Sequence, residues 1–199
     1  TAYSVVDGDR NAVSVIYTLG RSMSVVTGAG FQLNTELGDF HGAPDAYHVG
    51  ESGWEGRTQT NLIGIERNLP APGKRPMSSQ TPTIVAKDGE LFMVTGTPGG
   101  RSIISGVVQT ILHAVDYGLN AQEVVDVGRF HHEWLPDRIR IEENKFSRDT
   151  FDLLRVKGHT LQFTNALSQH FAVIIYRHEE KIFEGGSDLR REFGGVATY

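Results

Sequence analysis

The 199-residue chain contains no cysteine, which excludes a disulfide scaffold, a thiolate metal site and a Cys nucleophile. It has no apolar run near the roughly 18 residues that a membrane-spanning helix needs. Basic charge is also short: 19 Lys and Arg stand against 24 Asp and Glu, a net charge of −5, so the clustered cations that neutralise nucleic-acid phosphates are missing. No G-x-S-x-G elbow occurs, and no Walker-type Gly-Lys-Ser/Thr follows the glycine pairs. An initiator Met and a signal peptide are absent too. The opening on Thr1 leaves two expectations: a fragment chosen for expression, or a longer precursor cut just before Thr1. What is present suits one sizeable folded domain, since 39% of residues are hydrophobic, too many for a disordered chain.

Two β-rich runs, Tyr3–Asp7 and Ala12–Leu19, flank the polar turn Gly8-Asp9-Arg10-Asn11 and predict a hairpin, with Thr1 at the mouth of its first strand. A short strand is expected near Phe31–Leu33. The glycine-, proline- and polar-rich stretch of about 41–76 reads as a lid or binding loop, with an ordinary disordered insertion as the alternative. Thr83–Lys87, Asp88-Gly89 and Glu90–Gly96 form a second hairpin signature. Ile103, Ile104, Val107, Val108, Ile111, Leu112 and Val115 then repeat at helical spacing, predicting one buried face, with Gly118 as the stop. Further elements are expected as a helix at Ala121–Val127, a strand at Arg138–Glu142 and a helix at Arg148–Lys157. The last are strands at Thr160–Thr164 and Phe171–Tyr176, and a hairpin into Lys181–Glu184. Hairpins enclosing helices indicate an α+β domain with antiparallel sheet, without repeat or internal boundary.

Several residues carry candidate chemistry. Thr1 combines a hydroxyl that can attack a carbonyl with an α-amine that can take its proton; an unperturbed α-amine titrates at about 7.7–8.0. Gly99-Gly100, between a strand and the long helix, would expose backbone N–H groups to an anion or oxyanion, or simply form a packing turn. Ser78 and Ser79 follow two cations in K-R-P-M-S-S, as a carboxylate subsite or a plain polar loop. Glu36 and Asp39 could hold an ammonium group, although acidic pairs are common on solvated loops. His131 and His132 invite a metal reading, but adjacent residues of an extended segment point to opposite faces, so no metal site is expected.

In combination and in order, several stretches resemble the small catalytic subunit of the γ-glutamyltranspeptidases, within the N-terminal-nucleophile hydrolases. They are T-A-Y-S-V-V-D at 1–7, N-A-V-S-V-I-Y-T-L at 11–19, G-K-R-P-M-S-S at 73–79, T-P-T-I-V at 81–85, T-G-T-P-G-G at 95–100, D-Y-G-L-N at 116–120 and R-F-H-H-E-W-L-P-D at 129–137. The resemblance implies a four-layer αββα sandwich completed by a separate large subunit from the same self-cleaving precursor. Thr1 would then be nucleophile and, through its amine, general base, and Thr18 would orient it. Glu36 and Asp39 would bind the α-ammonium of a γ-glutamyl group, Ser78 and Ser79 its α-carboxylate, and Gly99 and Gly100 would form the oxyanion hole. An arginine at the α-carboxylate would come from the large subunit. The implied reaction is a ping-pong transfer from glutathione-like donors to water or an amine, without cofactor or metal, in a periplasmic or secreted setting.

The chain departs from the family pattern at Gly20, Thr35 and Gly38, where Asn, Asn and Asp are usual. Its segment from Arg21 to Gly30 looks short, and the 38 residues between Asp39 and Ser78 look long. Losing a hydrogen bond to a charged group typically costs about 1.5–3 kcal/mol. Weaker recognition of the glutamyl head group is therefore expected. The rival readings are a glutaryl or cephalosporin acylase on the same fold, a capsule-polymer transferase, and a non-catalytic relative.

Overall fold

The computed structural model describes residues 1–19, 25–40, 65–133, 137–190 and 194–198. The chain groups into two compact units, Thr1–Tyr17 with Ser79–His132 and Ile139–Tyr199, and Thr18–Ser78 with Glu133–Arg138.

In the first unit, β1 (Ala2–Val6) and β2 (Ala12–Ile16) form the expected hairpin, paired antiparallel with Ala2 opposite Ile16 and Val5 opposite Val13. The predicted second strand stops three residues early, at Ile16. Asp7 makes the turn: its carboxylate accepts from Asp9 N, Asn11 N and Asn11 Nδ2 at 3.0, 2.8 and 2.8 Å. Period-two alternation puts Ser4 and Ser14 on one face of the ribbon and Tyr3, Val5 and Val13 on the other, which is exposed. The serines pin the ribbon to a second sheet, Ser4 Oγ donating to Ala172 O at 2.9 Å and Ser14 Oγ to Thr95 O at 2.8 Å.

That second sheet has the order β3-β4-β8-β9, formed by Thr83–Lys87, Glu90–Gly96, Ala172–Arg177 and Ile182–Ser187. The β3–β4 turn places Asp88 at φ 55° and Gly89 at φ 83°. Two positive values in succession are what a type I′ turn requires. Two helices, α1 (Ser102–Val115) and α2 (Ala121–Asp126), complete its core. Met93, Val173 and Ile175 pack with Ile103, Val107 and Ala114 of α1 and with Ala121, Val124 and Val125 of α2. Each Val, Ile or Met among them contributes on the order of 1.5–3 kcal/mol when fully buried. Asn120 and Glu123 start α2 with a reciprocal capping box.

The single buried face predicted for α1 is corrected. Ile103, Gly106, Val107, Thr110 and Ala114 are buried, but Ile104, Val108, Leu112 and Val115 form a second apolar stripe about half exposed. Adjacent positions are about 100° apart around a helix, so Ile-Ile and Val-Val pairs necessarily populate two stripes.

A third sheet, β5-β6-β7, comprises Phe130–Glu133, Arg138–Glu142 and Leu161–Thr164. Strand β5 was not expected from the sequence. The expected antiparallel pairing holds in the other two sheets, whereas β6 and β7 run parallel with Ile139 opposite Leu161. The intervening helix α3 (Arg148–Val156), capped by Ser147, supplies the crossover that parallel strands need. Its Phe151 packs with Ile139 and Ile141.

Behind these elements lies a buried ionic cluster. Glu142 accepts from Arg129 N, Leu167 N, Arg190 Nε and Arg190 Nη2 at 3.1, 3.0, 2.8 and 2.8 Å. Asp188 meets Arg129 Nη2 at 2.7 Å and accepts from Phe171 N at 3.2 Å.

The described residues of the second unit are largely turns and irregular chain. Instead of a strand at Phe31–Leu33 it has a single bridge between Val25 and Gln32. The predicted loop at 41–76 falls partly outside the described residues, at 41–64. Its remainder includes a 3₁₀ turn, Ile65–Asn68, and Asn68 links two neighbours. Its Nδ2 donates to Asp39 O at 2.7 Å, and its Oδ1 accepts from Met77 N at 2.9 Å.

Candidate active site

Thr1 precedes β1, and its backbone continues the hairpin: the Thr1 α-amino group donates to Tyr17 O at 3.0 Å while Tyr17 N donates to Thr1 O at 2.8 Å. Partial burial without a compensating anion lowers the pKa of that amine below its ordinary value. More of it is therefore neutral, and able to accept a proton, near pH 7.

The opposite strand connects this end of the hairpin to the glycine turn. A Cβ on Gly96 would lie 3.2 Å from Ser14 Oγ and 3.4 Å from Ile16 Cγ1, so β2 crosses closely over the end of β4. One residue later the chain enters Thr97-Pro98-Gly99-Gly100 and then α1. Gly99 and Gly100 have φ of 148° and 61°, conformations that side-chain-bearing residues rarely adopt. Ser79 lies beside this turn, its Oγ donating to Gly100 O at 2.8 Å. Neither Gly99 N–H nor Gly100 N–H has an acceptor among the described residues. Two free backbone donors at a helix start suit a developing oxyanion.

The remaining predicted site residues lie in the second unit. Glu36 and Asp39 open and close one 3₁₀ turn, Glu36–Asp39, which presents both carboxylates within a single turn. Ser78 Oγ donates to Glu36 Oε1 at 3.0 Å. Thr18 O accepts from Thr35 N at 2.9 Å and from Thr35 Oγ1 at 3.3 Å, so Thr35 ties the Thr18 segment to the acidic turn. Gly20 lies outside the described residues. Asn68 was not singled out in the sequence, although it braces the acidic turn through Asp39 O. A lone Asn in a polar stretch offers no signal for that.

The two adjacent histidines do diverge. His131 is buried, with Nδ1 2.7 Å from Ser105 Oγ, whereas His132 is exposed. Among the described residues, no cluster of three or more His, Asp or Glu side chains could hold a metal ion.

The family model for gamma-glutamyltranspeptidase matches residues 1–198. The chain is 42% identical over 193 residues to the glutathione hydrolase proenzyme of Escherichia coli (strain K12), covering 96% of this chain and 31% of that protein. It is 38% identical over 212 residues to the glutathione hydrolase proenzyme of Pseudomonas sp. (strain A14), covering 100% of this chain and 35% of that protein. It thus spans about a third of the length of these curated relatives. A solved acivicin-inhibited γ-glutamyltranspeptidase superposes with a TM-score of 0.80 at 37% identity, over 97% of this chain and 100% of that one. Together, the α+β architecture and these matches define the fold of an N-terminal-nucleophile hydrolase. More specifically, the chain belongs to the γ-glutamyltranspeptidase family.

Proposed function

We propose that this chain is the catalytic part of a γ-glutamyl transferase and hydrolase acting on glutathione-like donors. The observation that carries the reading is Thr1 itself: a hydroxyl joined to an amine of lowered pKa, in the unit that also holds a glycine turn whose two N–H groups have no acceptor among the described residues. The Thr1 hydroxyl attacks the γ-glutamyl carbonyl as the amine takes its proton. Gly99 and Gly100 donate to the oxyanion, the protonated amine releases the leaving amine, and a threonyl ester remains. Water or an amino-acid amine then attacks the ester and regenerates Thr1. No cofactor is required.

In this reading Thr18 orients the nucleophile, Glu36 and Asp39 hold the substrate ammonium, and Ser78 and Ser79 its carboxylate. Residues 1–199 act as a single catalytic domain in this reading. The proenzyme names of the curated relatives, and the third of their length that the chain spans, support a partner chain released by cleavage before Thr1. The apolar stripe of α1 and the exposed face of the β1–β2 ribbon suit such a partner. No helix among the described residues is long and apolar enough to cross a membrane, and a secreted or periplasmic setting fits the family. Curated relatives named glutathione hydrolases favour this reading over an acylase.

The test compares γ-glutamyl-4-nitroanilide with glutaryl-4-nitroanilide on the full-length protein and its Thr1→Ala variant. Turnover of the first substrate, abolished by the substitution, is expected. Undiminished turnover in Thr1→Ala, or a preference for the glutaryl substrate, would overturn the reading.

A further inference from the structure

An oxyanion hole made of main-chain N–H groups is only as good as the orientation of two peptide planes, and the glycines that adopt these conformations cannot fix those planes themselves. In a trans peptide the C=O and N–H point in opposite directions, so an N–H is aimed by whatever holds the carbonyl on the other side of its plane. The two carbonyls that matter are Pro98 O, which shares a plane with Gly99 N–H, and Gly99 O, which shares one with Gly100 N–H.

Each is held by a hydroxyl. Thr97 Oγ1 donates to Pro98 O at 2.8 Å, and Ser102 Oγ donates to Gly99 O at 2.8 Å. The Thr97 hydroxyl is fully buried, and it accepts from His170 N at 2.8 Å, which leaves its own proton to point at Pro98 O. Ser102, at the first position of α1, is also buried. Ser168 Oγ adds a longer contact of 3.4 Å to Gly99 O.

Gln169 braces the assembly from behind. Its Nε2 donates to Ser102 O at 2.6 Å. Two glycines make room for it: a Cβ on Gly99 would lie 3.0 Å from Gln169 Cγ, and one on Gly106 would lie 2.7 Å from Gln169 Nε2. The side chain is fully buried and leaves its Oε1 without a partner among the described residues. A hydrocarbon of the same size would fill this space without that desolvation penalty. Retention of the amide points to its donor function toward Ser102.

We infer that Thr97 and Ser102 are positioning residues whose hydroxyls aim the N–H groups of Gly99 and Gly100 at the oxyanion, with Gln169 holding the start of α1 against them. This rests on the proposed γ-glutamyl transfer reaction. Neither side chain touches substrate, so their loss acts on kcat through the peptide planes rather than on KM.

The experiment uses the full-length protein, with rates expressed per mature Thr1 terminus quantified by N-terminal sequencing. Variants Thr97→Val, Thr97→Ser and Ser102→Ala are assayed with γ-glutamyl-4-nitroanilide beside wild type and Thr1→Ala. Removing an oxyanion-hole donor outright costs about 10²–10³-fold in kcat, so misaiming one is expected to cost about 10-fold or more. In Thr97→Val and Ser102→Ala, kcat should fall by that amount with KM within about two-fold of wild type. Thr97→Ser, which keeps the hydroxyl, should restore most of the rate. The inference is overturned if Thr97→Val and Ser102→Ala keep kcat within two-fold of wild type, or if Thr97→Ser loses as much as Thr97→Val. Should Thr97→Val fail to mature, Ser102→Ala decides by the same kcat criterion, and a Thr97→Ser rate about 10-fold or more below wild type also overturns the inference. An inactive wild type, or an active Thr1→Ala, refutes the proposed reaction instead.

Discussion

Replacing Glu142 by Gln changes one buried atom from oxygen to NH₂ and is expected to be among the most damaging conservative substitutions in the chain. Each carboxylate oxygen accepts one backbone N–H and one N–H of Arg190: Oε1 serves Leu167 N and Arg190 Nε, and Oε2 serves Arg129 N and Arg190 Nη2. Whichever way the amide turns, its NH₂ faces two donors. One charge-assisted hydrogen bond is lost, at about 1.5–3 kcal/mol, and one backbone N–H is left buried without an acceptor, at about 1–3 kcal/mol. The sum is about 2.5–6 kcal/mol, and its middle, about 3–5 kcal/mol, is the range measured when one partner of a buried ion pair is removed. For a chain of this size that corresponds to a fall in Tm of about 6–20 °C. The assay is differential scanning calorimetry of the full-length protein at one fixed scan rate. Arg10→Ala serves as control, because its 3.0 Å pair with Glu90 is about half exposed and should contribute only about 0–1 kcal/mol. The pH dependence gives a second readout. Burial alone would raise the pKa values of Glu142 and Asp188, but the hydrogen bonds to Glu142 and the charge of Arg129 beside Asp188 outweigh it and hold both below their ordinary values. The stability they contribute is complete above the ordinary carboxylate range and is lost as pH falls through the lowered values. Glu142→Gln should therefore flatten the loss of stability on acidification. A fall in Tm below 2 °C, or one matched by Arg10→Ala, would refute this reasoning.

Two further outcomes are expected. Because burial lowers the pKa of the Thr1 amine, kcat/KM for the γ-glutamyl anilide should rise with pH through a midpoint below the ordinary ~7.7–8.0 of an α-amine; a midpoint at or above that range contradicts the assignment of the base. Gly186→Ala would put a Cβ 2.2 Å from Ala121 O, forcing β9 away from the start of α2, so chemical denaturation should show a loss of about 1–3 kcal/mol; an unchanged midpoint would contradict the close packing.

Much of the fold was legible because its signals are local. Asp88-Gly89 marks a turn by its own conformational preferences, and the apolar repeat from Ile103 to Val115 marks α1 by its helical spacing. The parallel β6–β7 pair was not legible, since its register depends on a crossover through α3 rather than on any adjacent turn. On α1, sequence periodicity identified the apolar positions but could not separate the stripe that this chain buries from the one it leaves exposed. Among the candidate site residues, Thr1 and the glycine pair stood out through residue chemistry. Thr97, Ser102 and Asn68 did not, because a hydroxyl or amide that holds a main-chain carbonyl looks like any other polar residue until the chain is folded.

Asn68 has one more consequence. By gripping Asp39 O and Met77 N together, it fixes both banks of the stretch that begins after the acidic turn. One neutral side chain thus ties the end of the acidic turn to the residue before Ser78, so a substitution at Asn68 reaches Glu36, Asp39 and Ser78 together through the main chain without altering a single charge.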